Sequence, residues 1–587
     1  MKTSLKYIIA CGFISLLNSC GPEYYPDGRI DKEDVFSTDK KTFSYLNLCY
    51  SHLQNQYKGM WYGNNSFLAA FTDDAYDANT VDNSASAQYW RGATTAYFNP
   101  VESGANVNWW GEYYQGINQC NTFIENIDEA TVISDDDRQL WKAQAYVLRA
   151  LYSLELAKRY GKIPYSTQSY PSDFNFAEAE LKTFGEVALQ IFEDCDYAIN
   201  CEQLPWAPLA QDALRGMMTK GVAYAIKSQA ALYAASPLFF DGNVTWTQAA
   251  EICGEAMDKL ADNGYELFTK SGASNLNISA YDTYFNSRPD VSRASDRETI
   301  LERRDQLSVW QWHGLPSTTG AMSAGNCPTQ ELVDCYETID GKQPVLGYSD
   351  ADHLRPIINP DATLYNEQAP YENRDPRLAS TIYYHGAKKA LNSASSFVMT
   401  NIDGGAESMD VTKQDKTHSP TGYYLRKYNN FASNLNSPSD GYFRIFRYAE
   451  ILLNFAEAAA EAGNTVPEKA YQAVNAVRAR VGMPPLEGLG KEEFIKRVRN
   501  ERRVEFAYEE NRFFDIRRWK AIDENQKVVT GIKVTTNSDG SYRFERMVVD
   551  NTRQCYTQKY LHFPIPGDEV IRLQTFKGVN CQNPGWE

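Results

Sequence analysis

Two glutamates near the C-terminus have a residue type and a spacing that could do chemistry. Glu501 and Glu505 lie one helical turn apart within residues 492–519. Two carboxyl groups at a similar separation act as acid and base in glycoside hydrolysis. At least six arginines share this segment, and their charge would keep both carboxylates ionised, whereas a general acid needs a raised pKa. We therefore interpret the pair as part of a structural ion network, with glycoside hydrolysis as the alternative.

The same segment predicts a helix with a buried face. Residues 492–510 are good helix formers and include neither glycine nor proline. Phe494 and Val498 recur at helical spacing, and Arg502 and Glu505 continue the same face, so ionic groups lie among apolar ones. We expect Arg502 and Glu505 to pair along this face. The charged residues just beyond could extend the network: Arg512, Asp515, Arg517 and Arg518.

No catalytic motif accompanies these residues. The chain has no G-x-S-x-G, no H-E-x-x-H and no phosphate-cradling glycine loop, and its 6 histidines are scattered. In Arg374-Asp375-Pro376-Arg377 an aspartate lies between two arginines, which is typical of a structural corner rather than of catalysis. We predict a protein that is not an enzyme and has no cofactor or metal cluster, and we leave a structural calcium ion open.

Two polar stretches that contain aromatic residues favour ligand binding instead. Sugar rings stack their apolar faces on aromatic side chains, while sugar hydroxyls need Asp, Asn or Arg partners. Residues 73–97 and 309–319 combine these types, and alternation would place both tryptophans of the second stretch on one face of an extended segment. Burial of the tryptophans in the core is the alternative. The candidate binding residues are Asp73, Asp74, Tyr89, Trp90, Arg91, Trp310, Trp312 and His313.

The elements that must position these residues are mostly helical. Apolar residues recur at three- and four-residue spacing, with small alanines that let helices approach each other. Successive segments form pairs that resemble tetratricopeptide repeats. The predicted helices cover residues 43–57, 109–127, 138–160, 184–199, 220–235, 247–260, 448–462 and 465–481. Strands are minor, and the best one is a hairpin formed by residues 532–536 and 542–548.

The first residues predict export and a lipid anchor. Lys2 and Lys6 precede an apolar run over residues 7–17, which ends in the lipobox Leu17-Asn18-Ser19-Cys20. The run is far shorter than the roughly 20 residues that a membrane span requires. We predict that residues 1–19 are a signal peptide and that Cys20 becomes the acylated N-terminus. The alternative is a secreted protein cleaved nearby.

The net charge limits the classes of partner that the chain is expected to bind. The formal net charge of −17 argues against nucleic acid and anionic lipid as partners and favours a neutral ligand.

Of the 11 cysteines, nine remain besides Cys11 and Cys20. Their spacing matches no zinc motif and is too sparse for a disulfide scaffold, so we expect mostly buried thiols.

Several motifs resemble the SusD/RagB family. Besides residues 492–519, they are FRYAEILLNFAEAAAEAG at residues 446–463, VNAVRARVGMP at 474–484, NRDPRL at 373–378 and QNPGW at 582–586. The resemblance covers nearly the whole mature chain, as an N-terminal helical region over residues 20–268 and a C-terminal region over 269–587. It implies a mainly α fold, namely a tetratricopeptide-like scaffold of helical pairs with long irregular loops and a minor β-hairpin.

This resemblance also implies a function. Members of the family are nutrient-binding lipoproteins on the outer surface of Bacteroidota. The chain would then be anchored in the outer membrane through Cys20, face the cell exterior, capture a glycan and deliver it to a SusC-like TonB-dependent transporter. Peptide capture, as in the RagB branch, is the alternative among binding proteins, and a helical-repeat interaction scaffold is the structural alternative.

Overall fold

Helices are the predominant secondary structure in the part of the chain that the structure describes. The structure is a computed structural model that describes residues 32–56, 66–79, 84–103, 107–130, 132–170, 174, 178–207, 216–271, 279–286, 296–302, 309–318, 320–389, 397–410, 412, 415–429 and 443–587. The predicted signal peptide, residues 1–19, and Cys20 lie outside these residues.

The N-terminal half of the chain contributes the longest helices. Their bounds are α1 (Lys32–Val35), α2 (Asp39–Gln56), α3 (Ala85–Trp90), α4 (Pro100–Ser103), α5 (Trp109–Asn126), α6 (Asp135–Tyr160), α7 (Phe184–Asn200), α8 (Lys220–Ala235) and α9 (Trp246–Asp262). Short 3-10 helices cover Leu68–Phe71 and Ile127–Glu129.

The C-terminal half alternates shorter helices with turns. Its helices are α10 (Ala280–Asn286), α11 (Val309–Trp312), α12 (Gln330–Cys335), α13 (Pro376–Thr381), α14 (Tyr448–Ala462), α15 (Glu468–Arg480), α16 (Lys491–Glu505), α17 (Asn511–Arg518) and α18 (Gly567–Lys577). Two more 3-10 helices cover Glu524–Lys527 and Gln558–Leu561. The mainly α fold predicted from the sequence is confirmed.

Neighbouring helices in the sequence pack against each other. From α5 to α9 each helix contacts the next, and α9 then contacts α14, so helices from both halves of the chain share one core. Small residues allow close approach, since a Cβ atom on Gly116 of α5 would lie 2.7 Å from the Tyr152 ring of α6. Ser134 caps the N-terminus of α6, where its hydroxyl accepts from the Asp137 amide at 3.1 Å.

Strands occur as short antiparallel pairs. In chain order they are β1 (Ala75–Asp77), β2 (Ile163–Pro164), β3 (Leu181–Lys182), β4 (Thr299–Glu302), β5 (Asn326–Pro328), β6 (Val345–Tyr348), β7 (Pro356–Ile358), β8 (Ile382–Tyr383), β9 (Tyr424–Leu425), β10 (Arg444–Arg447), β11 (Val529–Thr536) and β12 (Tyr542–Asp550). The pairs are β1 with β5, β2 with β3, β4 with β10, β6 with β7, β8 with β9 and β11 with β12. The last pair is the predicted hairpin, a few residues longer than expected.

A buried ion network connects α16 to three other segments. The Glu505 carboxylate, which is 0% exposed, accepts from Arg377 at 2.9 Å and from Arg447 at 2.7 Å, and it also binds Arg480. Glu501 accepts from Arg377 at 2.6 Å and from Arg478 at 2.8 Å. The predicted structural network is therefore present, and both members of the carboxylate pair form ion pairs within it.

The arginines determine the ionisation of these glutamates. Burial alone would raise the pKa of Glu505, but the positive charges of Arg480, Arg447 and Arg377 lower it well below its ordinary value. The pKa of Glu501 is lowered in the same way against its burial, chiefly by Arg377. Neither carboxyl group can serve as a general acid, because both are ionised at neutral pH.

Two details of the predicted helix over residues 492–510 are wrong. The helix ends at Glu505, and Tyr508 and Glu510 take positive φ values of 61° and 73°. This break turns Glu509 toward Arg447, whose Nε lies 2.6 Å from its carboxylate. Arg502 does not pair with Glu505, because packing of α17 brings the Asp515 carboxylate to within 3.0 Å of it.

The first prediction concerns stability. Glu505→Gln leaves buried guanidinium groups without their counter-charge and should reduce the free energy of unfolding by about 3–5 kcal/mol. Urea denaturation of both proteins measures this change. Glu493→Gln in the same helix is the matched control, because Glu493 is exposed, and its stability should stay near that of the unchanged protein. Equal stability of the two variants would contradict the structural role.

The second prediction concerns acid. Because the folded-state pKa values of Glu501 and Glu505 lie below the ordinary 4.5, the folded protein binds fewer protons than the unfolded chain as the pH falls below that value. The stability that these residues contribute is fully present above pH 4.5 and is lost as the pH falls toward the folded-state pKa values. Thermal midpoints between pH 6 and pH 3 should therefore fall less steeply for Glu505→Gln than for the unchanged protein. Parallel curves would contradict this assignment.

Candidate ligand-binding site

The structure pairs the first predicted binding stretch with a segment that follows the second one in the chain. Strand β1 pairs with β5, so Asp77 lies opposite Asn326. The Thr329 hydroxyl donates to the Asp73 carbonyl at 2.5 Å, and the Ser323 hydroxyl donates to the Asn79 side-chain oxygen at 2.9 Å. The first stretch therefore contacts residues 323–329, just beyond the second stretch, although more than 200 positions separate the partners in the chain.

Tyr89 and Trp90 are core residues, so their predicted exposure is wrong. Trp90 is 2% exposed, stacks on Tyr76 with ring centroids 4.6 Å apart, and donates its indole N–H to the Ala70 carbonyl at 2.7 Å. The Arg553 guanidinium covers the Trp90 ring at 4.4 Å. The Tyr89 hydroxyl is buried and accepts from Arg517 at 2.6 Å. Both rings stabilise the packing of α3, and only Arg91 just beyond them is exposed.

The second stretch also turns inward. Residues 309–312 form helix α11 rather than the predicted extended segment. Trp310 is therefore 2% exposed, while Trp312 is half-buried and keeps some access to solvent. His313 is fully buried, its Nδ1 accepts from the Asn326 amide at 3.0 Å, and burial lowers its pKa to about 3. In a helix, which has 3.6 residues per turn, side chains two positions apart point in roughly opposite directions. The two indoles therefore do not share a face, as they would in an extended segment with a period of 2.

Asp73 and Asp74 are held in buried ion pairs. The Arg503 guanidinium lies 3.0 Å from the Asp73 carboxylate and 2.7 Å from that of Asp74, and Arg512 lies 2.9 Å from Asp73. Burial would raise the pKa of Asp73, but Arg503 and Arg512 lower it below its ordinary value. Asp73 lines a polar cavity of about 280 Å³. Both aspartates are therefore structural partners of arginines rather than the exposed hydroxyl ligands that we predicted.

A different cavity has the chemistry expected for a sugar. It measures about 470 Å³ and lies between α5, the segment after α6, and α18. We call it the aromatic groove. Its lining residues are Trp110, Gly111, Tyr114, Gln115, Ile117, Asn118, Asn121, Pro164, Tyr165, Ser166, Tyr170, Ala179, Glu569, Arg572 and Leu573.

Packing and hydrogen bonds hold the aromatic rings of this groove in place. The Trp110 ring lies 4.9 Å from that of Tyr114 and meets Tyr160 edge to face at 5.0 Å. The Tyr114 hydroxyl donates to the Pro164 carbonyl at 2.6 Å. The half-buried Tyr170 ring has its centroid 4.2 Å from that of the Phe174 ring. The apolar faces are therefore fixed before any ligand arrives.

Polar side chains line the groove beside these rings. Asn121 is buried and fully engaged, since its amide donates to the Ser166 and Gln168 carbonyls and its oxygen accepts from Arg149 at 2.9 Å. Asn118 and Gln115 lie one turn and nearly two turns before it in α5 and are exposed, and the Asn118 side-chain oxygen accepts from the Tyr170 amide at 3.3 Å. Asn121 thus fixes the wall, whereas Gln115 and Asn118 present amides toward solvent, where a sugar hydroxyl can reach them.

Charge in the groove is limited to its rim on α18. Arg572 and Glu569 lie 3.4 Å apart in an ion pair that is exposed on the arginine side. Glu569 is the one carboxylate among the described residues that line the groove. The pair of carboxyl groups that glycoside hydrolysis requires is therefore missing from this lining.

A signal for this groove was present in the sequence. Trp110, Tyr114, Asn118 and Asn121 recur at i, i+4, i+8 and i+11 of α5, which places them on one helix face. We predicted this helix but assigned its aromatic residues no ligand role. The missing information was which helix face would remain uncovered, and the packing of α2 and α6 on the other faces decides it.

The described part of the chain contains neither a cluster of metal-ligating side chains nor a helix that could span a membrane. Within the described ranges, no group of three or more His, Cys, Asp or Glu side chains is placed to hold a metal ion. None of the helices in these ranges combines the length and the apolar character needed to cross a membrane.

Comparisons with known proteins agree with this architecture. A SusD-like protein from Formosa agariphila is 24% identical over 603 residues, which cover 100% of both chains. A crystal structure of a SusD-like protein from Bacteroides fragilis has a TM-score of 0.72 and 26% identity, and covers 94% of this chain and 98% of that one. A SusD-like carbohydrate-binding protein from the same species has a TM-score of 0.68 and 21% identity over 92% and 98% of the two chains.

Two family models match the chain itself. The model described as "Starch-binding associating with outer membrane" matches residues 34–232. The model described as "SusD family" matches residues 274–586, which is more than half of the chain. With its helical core and this match, the chain belongs to the SusD family.

Proposed function

We propose that this protein captures a neutral oligosaccharide at the outer surface of the cell and delivers it to a SusC-like TonB-dependent transporter. The aromatic groove is the observation that carries the proposal. It is lined by the half-buried rings of Tyr114 and Tyr170 and by the buried ring of Trp110, beside the exposed amides of Gln115 and Asn118. Rings bind the apolar faces of sugars, and amides both donate to and accept from sugar hydroxyls.

Family membership supports the same ligand class. The model that matches residues 34–232 is described as starch-binding, and these residues contain α5 and most of the groove. The net charge of −17 opposes polyanionic glycans. A neutral glycan of the α-glucan type is accordingly the first ligand to test.

Peptide is the second candidate ligand, and the rim favours it. Glu569 and Arg572 lie at one side of an otherwise uncharged groove. An ammonium group and a carboxylate on a peptide could replace the two partners of this exposed pair. Binding to peptides but to no glycan would support this alternative.

A binding protein rather than an enzyme fits the carboxylates. Glu501 and Glu505 are buried among arginines, and the described lining of the groove contains one carboxylate. We propose that the bound glycan leaves the groove intact. Incubation with glycans should then produce no new reducing ends.

Attachment to the membrane is the remaining part of the proposal. The lipobox ending at Cys20 supports a lipid anchor, and the model for residues 34–232 is described as associating with the outer membrane. We propose that residues 20–268 and 269–587 are the two regions of the mature chain, held at the outer face by this anchor.

The third prediction tests the groove. Tyr170→Ala removes a half-buried ring from the groove wall and should weaken binding by about 1–2 kcal/mol, roughly a factor of ten. Asn118→Ala should weaken binding through the loss of hydroxyl contacts. Titration calorimetry with malto-oligosaccharides, followed by a panel of other neutral glycans and peptides, measures the affinity.

Two controls separate binding from folding. Tyr197→Ala removes a tyrosine that is 40% exposed on α7 and stacks on Tyr146, outside the groove. Its affinity should be unchanged. Trp90→Ala should instead cost about 3–5 kcal/mol of stability through lost core contacts, while its folded fraction binds normally. If Tyr170→Ala and Asn118→Ala bind every ligand of the unchanged protein equally well, the groove is not the site.

The fourth prediction tests the anchor. Cys20→Ala removes the acylated residue and should release the protein from the outer-membrane fraction in cells that lack the transporter. Immunoblots of the fractions measure the distribution. Cys581→Ala is the matched control, because Cys581 is a partly exposed cysteine far along the chain, and this variant should remain in the membrane. Membrane retention of Cys20→Ala would contradict the anchor.

A further inference from the structure

Helices α2 and α5 pack in a register that sets two cysteines opposite each other. The Tyr45 ring of α2 stacks on the Phe123 ring of α5 with centroids 6.2 Å apart. One to two turns further along α2, the His52 Nε2 lies 3.0 Å from the Gln119 side-chain oxygen of α5. Between these contacts, the antiparallel register places Cys49 of α2 against Cys120 of α5.

Contacts at the two cysteines agree with this register. Their thiols are in hydrogen-bonding contact, and both residues are fully buried. The Tyr152 hydroxyl of α6 donates to the Cys49 carbonyl at 2.6 Å and closes the third side of this junction. Gly116, one turn before Cys120, allows the Tyr152 ring to approach α5 closely. The two thiols therefore face each other in a tightly packed, apolar setting.

We propose that Cys49 and Cys120 form a disulfide bond in the exported protein. A disulfide requires two side chains that point at each other across a short gap, and the contact between these two thiols on adjacent packed helices meets that condition. An oxidising compartment outside the cytoplasm allows such a bond to persist. This part of the inference rests on the proposed export, whereas the pairing of the two cysteines rests on the helix register alone.

The reaction is thiol–disulfide exchange with a small or protein disulfide as oxidant. The thiolate of one cysteine attacks the oxidant, forms a mixed disulfide and releases one thiol. The thiolate of the second cysteine then displaces the other half of the oxidant. One S–S bond forms in the protein, one S–S bond breaks in the oxidant, and the two protons and two electrons lost by the cysteines appear in the two thiols released.

Packing determines when this reaction occurs. In the folded protein both thiols are inaccessible, and burial raises the pKa of Cys120 well above its ordinary value. Because the thiolate is the reactive form, the bond must form while α2 and α5 are still coming together. Once closed, it is shielded from reductants by the same packing.

The consequence concerns the aromatic groove. Helix α5 carries Trp110, Tyr114 and Asn118 on the face opposite to the one that contacts α2. A covalent bond from Cys120 to α2 fixes α5 on the side away from the groove. It also reduces the conformational entropy of the unfolded chain. The disulfide is therefore a support for the helix that presents the groove.

Thiol counting tests the inference on the Cys20→Ala chain, which has the nine cysteines Cys49, Cys120, Cys195, Cys201, Cys253, Cys327, Cys335, Cys555 and Cys581 after signal removal. The protein is exported to a bacterial periplasm, or refolded from the reduced state in oxidised and reduced glutathione. It is then denatured in iodoacetamide without a reductant and analysed by mass spectrometry. Seven alkylated thiols and one linked peptide pair containing Cys49 and Cys120 are expected.

Variants make the assignment specific. Cys49→Ala should show eight alkylated thiols and no linked pair, whereas the matched control Cys195→Ala, a buried cysteine of α7, should show six alkylated thiols and retain the pair. The oxidised parent should also melt at a higher temperature than the same chain refolded with dithiothreitol, and this difference should vanish in Cys49→Ala. Nine alkylated thiols after both routes, or a linked pair that omits either cysteine, would overturn the inference. A pair obtained by refolding but not by export would overturn its formation in the exported protein while leaving the pairing intact.

Discussion

The Glu505 carboxylate meets guanidinium groups from three separate segments of the chain without contacting solvent. Removing one carboxylate and three arginines from water is costly, and their mutual attraction offsets this cost only when all partners are in place. Arg377, Arg447 and Arg480 belong to α13, β10 and α15, so these elements must be assembled for the charges to be satisfied. The network thus couples the C-terminal helices to the turns between them and stabilises one arrangement of the segments.

The same constraint spreads beyond Glu505. The break after α16 lets Glu509 bind Arg447 and Lys427, while Arg503 and Arg512 continue the ion pairs to Asp73 and Asp74 at the other end of the chain. These last contacts connect the first binding stretch that we predicted to the C-terminal helices. Charged residues of this kind resemble a catalytic or ligand site in the sequence, and in the folded protein their partners satisfy them. The proposed ligand contacts involve residues with weaker local signals.

The aromatic groove shows how helix packing creates such a surface. Helices α2 and α6 cover two faces of α5, and the remaining face keeps Trp110 and Tyr114 beside exposed amides. The rings are held by Pro164 and Tyr160, so little ordering remains to be done when a ligand binds. A rigid helix therefore positions the proposed sugar contacts, and α18 and the segment after α6 line the groove on its other sides.

Local patterns in the sequence were sufficient to predict the main helices and to identify the family. Period and capping predicted helices such as α8 and α14 with their observed bounds, because these signals depend on residues within a few positions of each other. The buried network was also predictable, since Arg502 and Glu505 share a face with Phe494 and Val498. The family motifs and the matched family model agree because both depend on the sequence alone and not on contacts between distant segments.

Only the tertiary structure decided which aromatic residues are accessible and which charges pair. Trp90 follows polar residues in the sequence, yet Tyr76 and Arg553 cover it from positions 14 and 463 residues away. Arg502 pairs with Asp515 instead of Glu505 because α17 folds back against α16. Trp110 and Tyr114 look like ordinary core residues of an amphipathic helix. Trp110 is indeed buried and Tyr114 is half-buried, yet both line the groove because α2 and α6 leave a cavity between this face of α5 and α18. Helical period specifies which residues share a face, whereas the exposure of that face depends on contacts between segments that are distant in the sequence.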